Sequence, residues 1–330
     1  MRKIILVLII VVVIFVAFNL IKGKDKNTQT EGLQNISVGL SWIPSASFVG
    51  DAVAAERFDE KNGLNLSVSF GGPGINTMQM VQTGQNDFGY LASDEVLSAI
   101  DKGADLVILG VVTDNSPAGY VSFSDKNINS PKDFEDKSVG VLPFGNTTMI
   151  YESMLRTNNV DRSKISETII SYDMKPFLSG AYDIHPIFVY DESVNLDREG
   201  VSYNLIKPED FGVSMKGAVY FAKRETLENN PQMVESFVKM MAEAWNYSVK
   251  NERQAINALK ELAPEIDEER EAEVLKRAIP YFTAYQNQPL NSDIASWDQT
   301  IDNLKKSGVV NQNANFDSAF NFSFINSFYN

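Results

Sequence analysis

An α/β fold in two lobes is what this sequence predicts, and three observations carry the prediction. Short apolar strands alternate with amphipathic helical stretches from Ile36 onward, the order that builds mostly parallel sheets flanked by helices. At 330 residues the chain exceeds a single typical domain, and 44% hydrophobic content with 11% aromatic residues supplies enough apolar material for two cores. A second strand–helix series then starts afresh near Tyr120.

The elements follow in order. Ile36–Leu40 reads as a strand, and Ala52–Lys61 as a helix closed by Asn62-Gly63, a C-terminal cap signal. Leu64–Phe70 alternates apolar and polar as a strand does. A Gly71-Gly72-Pro73-Gly74 turn leads into a helical Asn76–Thr83, the strand Asp87–Leu91 and the helix Asp94–Lys102. Leu106–Val112 is apolar throughout, as a strand buried on both faces is. In the second series, Tyr120–Phe123, Ser138–Leu142, Glu167–Ser171 and Ile187–Tyr190 read as strands. Between them, Ser130-Pro131-Lys132-Asp133 carries a cap Ser, Pro at the first helical position and an acid in the first turn. Met149–Asn158 and Met174–Gly180 are helical. From Asn230 the chain is chiefly helical, and Pro231–Val249 sets Val234, Phe237, Val238, Met241 and Trp245 on one face. The acidic run Glu265–Glu273 reads most simply as a solvated helix face.

The amino terminus predicts a membrane anchor. Arg2 and Lys3 precede an 18-residue apolar run, Ile4–Ile21, interrupted only by Asn19. At about 1.5 Å per residue it spans about 27 Å, enough for a bilayer core. No small-residue cleavage site follows Phe18, so residues 1–22 are expected to stay as a signal-anchor helix, with 23–35 as a flexible tether.

Composition excludes several chemistries. There is no cysteine, hence no disulfide, thiolate nucleophile, Cys-ligated metal or lipid-anchoring Cys. The single histidine, His185, beside Pro186 at the edge of an apolar run, reads as structural. No EF-hand spacing occurs, and no cofactor is expected. Acids outnumber bases 43 to 29, for a formal charge of −14, which argues against a nucleic-acid partner. That acidity serves solubility.

Candidate binding residues lie where predicted strands end, the crevice in which open α/β sheets hold ligands. Trp42, Pro44, Ser45 and Phe48 follow the first strand. Trp42 offers a flat apolar face with one N–H donor; the alternative is a Trp that caps a connection. Gly72 and Gly74 let main-chain N–H groups approach a ligand, or simply make a tight turn. Ser93 with Asp94, and Gly145 with Asn146 and Thr147, precede helices whose amino termini carry free N–H groups; they serve equally as plain caps. Tyr190 and Glu192 end the strand Ile187–Tyr190.

Six stretches together carry a family resemblance. They are Leu40-Ser41-Trp42-Ile43-Pro44, Phe58-Asp59-Glu60-Lys61-Asn62-Gly63-Leu64, Thr83-Gly84-Gln85-Asn86-Asp87-Phe88-Gly89, Ile128-Asn129-Ser130-Pro131-Lys132-Asp133-Phe134, Phe177-Leu178-Ser179-Gly180-Ala181-Tyr182-Asp183 and Asp210-Phe211-Gly212-Val213. In register over Ile36 to about Val249, they resemble the solute-binding proteins of ABC importers, in the family that takes up thiamine pyrimidine precursors and, in sister branches, nitrate, sulfonates and taurine. The resemblance implies a type II periplasmic-binding-protein clamshell. Lobe one would be 36–116 plus 215–330 and lobe two 117–214, with hinge crossings near Asn115–Tyr120 and Gly212–Gly217.

For function, the resemblance implies a non-enzymatic, membrane-tethered extracytoplasmic receptor. It would act as a monomer and hand a small planar N-heterocycle to a permease and its ATPase. Asp191-Glu192-Ser193 with Leu196 and Glu199-Gly200 matches the pyrimidine branch's Asn-Glu-Pro segment, which places Glu192 as the acceptor for an amino-pyrimidine. Asp94 and Glu95 push the same way, and no Arg or Lys stands in the cleft segments to clamp an anion. The first loop departs from the branch's Trp-x-Pro-Asn-x-x-His-x-Gly pattern, with Ser45 for the Asn and Phe48 for the His. That departure points to a more apolar or larger heteroaromatic ligand, a flavin precursor or another cyclic base. The alternatives are an alkanesulfonate, nitrate or taurine receptor, a riboflavin-type receptor, an enzyme of precursor synthesis on the same scaffold, and a membrane-anchored sensor without a transporter. The Cys- and His-dependent pyrimidine-building enzymes are excluded, because the chain lacks both residues at the required places.

Overall fold

The computed structural model describes residues 32–143 and 145–330. The predicted anchor, 1–22, and residues 23–31 of the tether lie outside the described residues. The tether ends earlier than expected, because the first strand already starts at Gln34. Among the described residues no helix is long and apolar enough to cross a membrane.

Residues Gln34–Asn330 form one compact unit built on two five-stranded sheets. The first half runs β1 (Gln34–Gly39), α1 (Val49–Val53), β2 (Leu64–Ser69), α2 (Thr77–Gln82), β3 (Phe88–Ala92), α3 (Ser93–Asp101) and β4 (Leu106–Val111). The chain crosses to the second sheet and builds β5 (Ala118–Phe123), β6 (Ser138–Val141), α4 (Asn146–Thr157), β7 (Ser166–Ile169), α5 (Lys175–Leu178), β8 (Ile184–Phe188), α6 (Glu192–Arg198) and β9 (Tyr203–Ile206). It returns as β10 (Ala218–Lys223) and ends in helices α7 (Arg224–Asn229), α8 (Pro231–Ser248), α9 (Glu252–Leu262), α10 (Glu268–Phe282), α11 (Asp298–Ser307) and α12 (Ser323–Tyr329).

The sheets are mixed rather than mostly parallel, and each departs from the expectation at one strand. Their orders are β2-β1-β3-β10-β4 and β7-β6-β8-β5-β9. In the first, β10 runs antiparallel to both neighbours; in the second, β5 does. Both reversed strands are the ones that have just arrived from the other sheet, so each sheet closes around a strand delivered by its partner. Neither β9 nor β10 was expected from the sequence.

Local chemistry explains the first helix. The predicted helix over Ala52–Lys61 starts earlier, at Val49, and loosens into a π-turn at Ala54–Phe58 and a 3₁₀ turn at Glu60–Asn62. Gly63, with φ +75°, ends it as the Asn-Gly signal predicts. Gly50 is the reason α1 can approach α8: a Cβ there would stand 2.2 Å from the Trp245 ring. Phe88 stacks on Phe237 with ring centroids 3.7 Å apart, joining β3 to α8. Trp245 Nε1 donates to the Tyr220 hydroxyl at 3.1 Å, so the one polar atom of this buried indole is satisfied. The second sheet has its own apolar cluster of Val121, Phe177, Tyr182, Ile187 and Leu196. His185 belongs to that packing. It stacks on Phe177, bonds the Tyr182 hydroxyl through Nδ1 at 2.8 Å, and burial lowers its pKa to about 4.

The crossovers are zipped to each other. Ser116 N donates to Met215 O at 2.7 Å, Gly217 N to Thr113 O at 2.8 Å and Val112 N to Ala218 O at 2.8 Å. Lys216, 6% exposed, pairs with Asp114 between them.

Candidate ligand-binding site

The carboxyl ends of β1, β2 and β3 face segments of the second sheet, and several expected residues meet there. Trp42 leaves β1 and is pinned by its carbonyl, which accepts from Gly71 N at 2.9 Å. Its ring meets Tyr172, which follows β7 in the other sheet, with centroids 4.2 Å apart and planes 58° apart. Tyr172 escaped the sequence reading. The available signal was an aromatic residue just past the end of a strand, the same signal that singled out Trp42.

Beside this aromatic pair lies an acidic junction between two helix amino termini. Asp94 and Glu95 open α3. Asp94 is fully buried, and its Oδ2 accepts from Asn146 Nδ2 at 2.8 Å, across to α4. Its Oδ1 has no partner. Burial pushes Asp94 up to about 6. Burial and then the adjacent Asp94 push Glu95 up to about 7, opposed by the backbone N–H of Asn146, which Glu95 faces. Gly145, at φ +100°, gives α4 no side-chain cap, so acids of the opposite sheet take that place. Ser116 Oγ adds a donor to Asn146 Oδ1 at 3.3 Å. Thr147 uses its carbonyl, which accepts from the Tyr120 hydroxyl at 2.9 Å.

Other expected residues are engaged by the protein itself. Ser93 Oγ donates to Lys216 O at 2.7 Å, tying α3 to the crossover. Ser45 Oγ accepts from Ser47 N at 3.3 Å, and Pro44 is half-buried beside it. Phe48 is buried, edge-on to Tyr90 at 5.0 Å and Phe70 at 6.1 Å. Gly72 and Gly74 both have positive φ; Gly72 is buried near Ile43 while Gly74 lies open. Tyr190 is 2% exposed, packs on Tyr281 and Phe282, and accepts from Ser47 Oγ at 3.3 Å. Glu192 Oε2 accepts from Phe188 N at 2.7 Å, closing its own turn, and burial followed by Asp191 pushes it up to about 8. Trp42 and Tyr190 therefore have different ring partners.

One charge assignment needs correcting. The acidic run of α10 is not a bare solvated face: Asp267 and Glu273 pair with Arg198 of α6, and Arg270 joins Glu271 to Asp191. Arg277 adds a pair with Asp197. Glu271 Oε2 also accepts from Ala46 N at 2.6 Å, linking α10 to the Trp42 loop. Arg270 and Lys216 come from outside the segments expected to line the cleft. Each is paired with an acid.

The strand ends are closed on one another. A void beside the crossovers, lined by Ser116, Ala118, Ile150, Pro208 and Met215, measures about 10 Å³, room for one water at most. Among the described residues no His, Cys, Asp or Glu group is placed to hold a metal.

Residues 46–255 match the model of the NMT1/THI5-like family. This chain belongs to that family. No curated protein sequence matches it. Among solved structures, the NMT1/THI5-like chain is similar to the periplasmic aliphatic sulphonate-binding protein SsuA from Escherichia coli, with TM-score 0.66 and 17% identity over 84% of this chain and 88% of that one. The alkanesulfonate-binding SsuA from Xanthomonas axonopodis pv. citri, bound to MOPS, gives TM-score 0.66 and 15% identity over 88% and 98%. The desulfurization enzyme DSZB gives TM-score 0.63 and 13% identity over 90% and 99%. These likenesses establish the fold as that of periplasmic binding proteins.

Proposed function

We propose that this NMT1/THI5-like chain is the extracytoplasmic solute receptor of an ABC importer, held at the membrane by its amino terminus. In this reading it captures a small planar N-heterocycle, such as a thiamine pyrimidine precursor, between its two sheets and delivers it unchanged to a permease and its ATPase. It works as a monomer. The lobes are 36–116 with 215–330 and 117–214, and the paired crossovers are the hinge.

The observation that carries this reading is the Trp42–Tyr172 pair, one ring from each sheet, meeting at the strand ends. Two aromatic faces from separate sheets clamp a flat ring only when the sheets close on it. That couples ligand capture to the change of shape a transporter can sense. The family match and the sulfonate-binding neighbours support a transport role; the DSZB likeness marks an enzyme as the competing class. The sulfonate-binding SsuA neighbours, together with an α4 amino terminus that has no side-chain cap, favour a second reading, a sulfonate receptor.

Isothermal titration with aminopyrimidines, flavins, nitrate, taurine and alkanesulfonates separates these readings. Binding of a heterocycle is expected, with Trp42→Ala and Tyr172→Ala each weakening it by about 1–3 kcal/mol, the usual worth of a stacking face. Heat from the anions alone overturns the heterocycle assignment.

A further inference from the structure

At the start of α4 the electrostatics of the cleft are decided by who supplies the anion. An uncapped helix amino terminus attracts negative charge. Here the charge comes from the opposite sheet, as Glu95 facing the Asn146 N–H and Asp94 accepting from the Asn146 amide. Two carboxylates offer many more lone pairs than these donors use. Asp94 Oδ1 is fully buried without any partner, and Ser98 Oγ, one turn further along α3, is likewise buried and unpartnered. Among the described residues no Lys or Arg is paired with either acid; Lys216, whose carbonyl accepts from Ser93 Oγ, is spent on Asp114.

We propose that Asp94 and Glu95 form a charge-selecting subsite of the cleft, which takes the protonated amine or amidinium of a planar ligand and rejects anions. The proposal rests on the reading of this cleft as the ligand site. An anion arriving at α4 has to displace both carboxylates and leave them buried without partners, a costly exchange. A cation has the opposite effect: its N–H groups fill the empty acceptor of Asp94 and the spare lone pairs of Glu95, and its charge relieves the repulsion between them. Asn146 donates where that group would donate. Both acids titrate near neutrality. Among the described residues the groups facing them are each other, the Asn146 amide and backbone N–H, and the Tyr172 hydroxyl, none of them cationic. Binding of a cation favours the ionised carboxylates, so protons leave on binding.

The test uses three planar probes of similar size: benzamidinium, neutral benzamide and anionic benzenesulfonate. Each is titrated calorimetrically into the whole folded domain near neutral pH, in two buffers of different ionisation heat. Benzamidinium is expected to bind about tenfold or more tighter than benzamide, with proton release, and benzenesulfonate not at all. Glu95→Gln and Asp94→Asn should each cost benzamidinium about tenfold and reduce the protons released. Benzenesulfonate binding as tightly as benzamidinium, variants with unchanged benzamidinium affinity, or no benzamidinium binding in the millimolar range each overturn the proposal. If benzamide and benzamidinium bind alike and Trp42→Ala weakens both, charge selection falls while the stacking cleft stands.

Discussion

Asp51 shows how one residue can sit against the interest of the fold. It opens α1, is fully buried, and neither carboxylate oxygen has a hydrogen bond of ordinary geometry, although the Tyr220 hydroxyl lies beside it. Burial pushes its pKa from 3.8 to about 7. Between those values the folded chain holds a proton that the unfolded chain releases, so this group's contribution to stability falls as pH rises through that window and is flat above it. Asp51→Asn removes the dependence. The variant should gain on wild type by about 2–3 kcal/mol between about pH 5 and about pH 8, read from urea unfolding at each pH. A constant gap across that range contradicts the placement of Asp51. The sequence did single out the stretch from Ser41 to Asp51, and in the structure its Trp42 meets Tyr172 of the other sheet. Ser45, Ser93 and Glu192 have polar atoms engaged by the protein's own main chain, and a cap and a ligand contact look the same in sequence.

At the scale of elements, α6 and α10 bind the two sheets together through charge. The pairs are unequal. Arg198 is a third exposed and meets acids that are about half exposed, where ion pairs are worth about 0.2–1 kcal/mol. Arg270 lies between Asp191 and the buried Glu271 and also donates Nε to Asn195 at 2.8 Å. Its removal leaves acids uncompensated in a low-dielectric setting, for which about 3–5 kcal/mol is usual. Urea denaturation of Arg270→Ala should show a loss several times that of Arg198→Ala; equal losses contradict a buried junction. Most strands were legible because their apolar runs are local signals. The strand β9 was not, since Tyr203–Ile206 is short and half-exposed; β10 escaped notice although Ala218–Lys223 carries the same kind of local apolar run. The role of α10 was hidden because its acids face arginines, one of them about seventy positions away in sequence.

For the whole molecule, the exchange of β5 and β10 between sheets makes the two crossovers neighbours. The proposed hinge lies in the short spans around Ser116 and Lys216. Two strand–helix series, and hence two sheets, were legible from chain length and the restart near Tyr120, whereas Tyr172 meeting Trp42 depends on how the sheets face each other and has no local signal beyond an aromatic at a strand end. The central claim is that the sheets close over a ligand held at these two rings. Because the chain has no cysteine, Ile43→Cys and Ile169→Cys place unique spin labels on exposed positions at either side of the mouth, 50% and 67% exposed. Pulsed electron resonance should show a broad or double distance distribution without ligand, collapsing to one short distance with the tightest-binding heterocycle and failing to collapse in Trp42→Ala. A single distance, unchanged by a ligand that calorimetry shows to be bound, contradicts the claim.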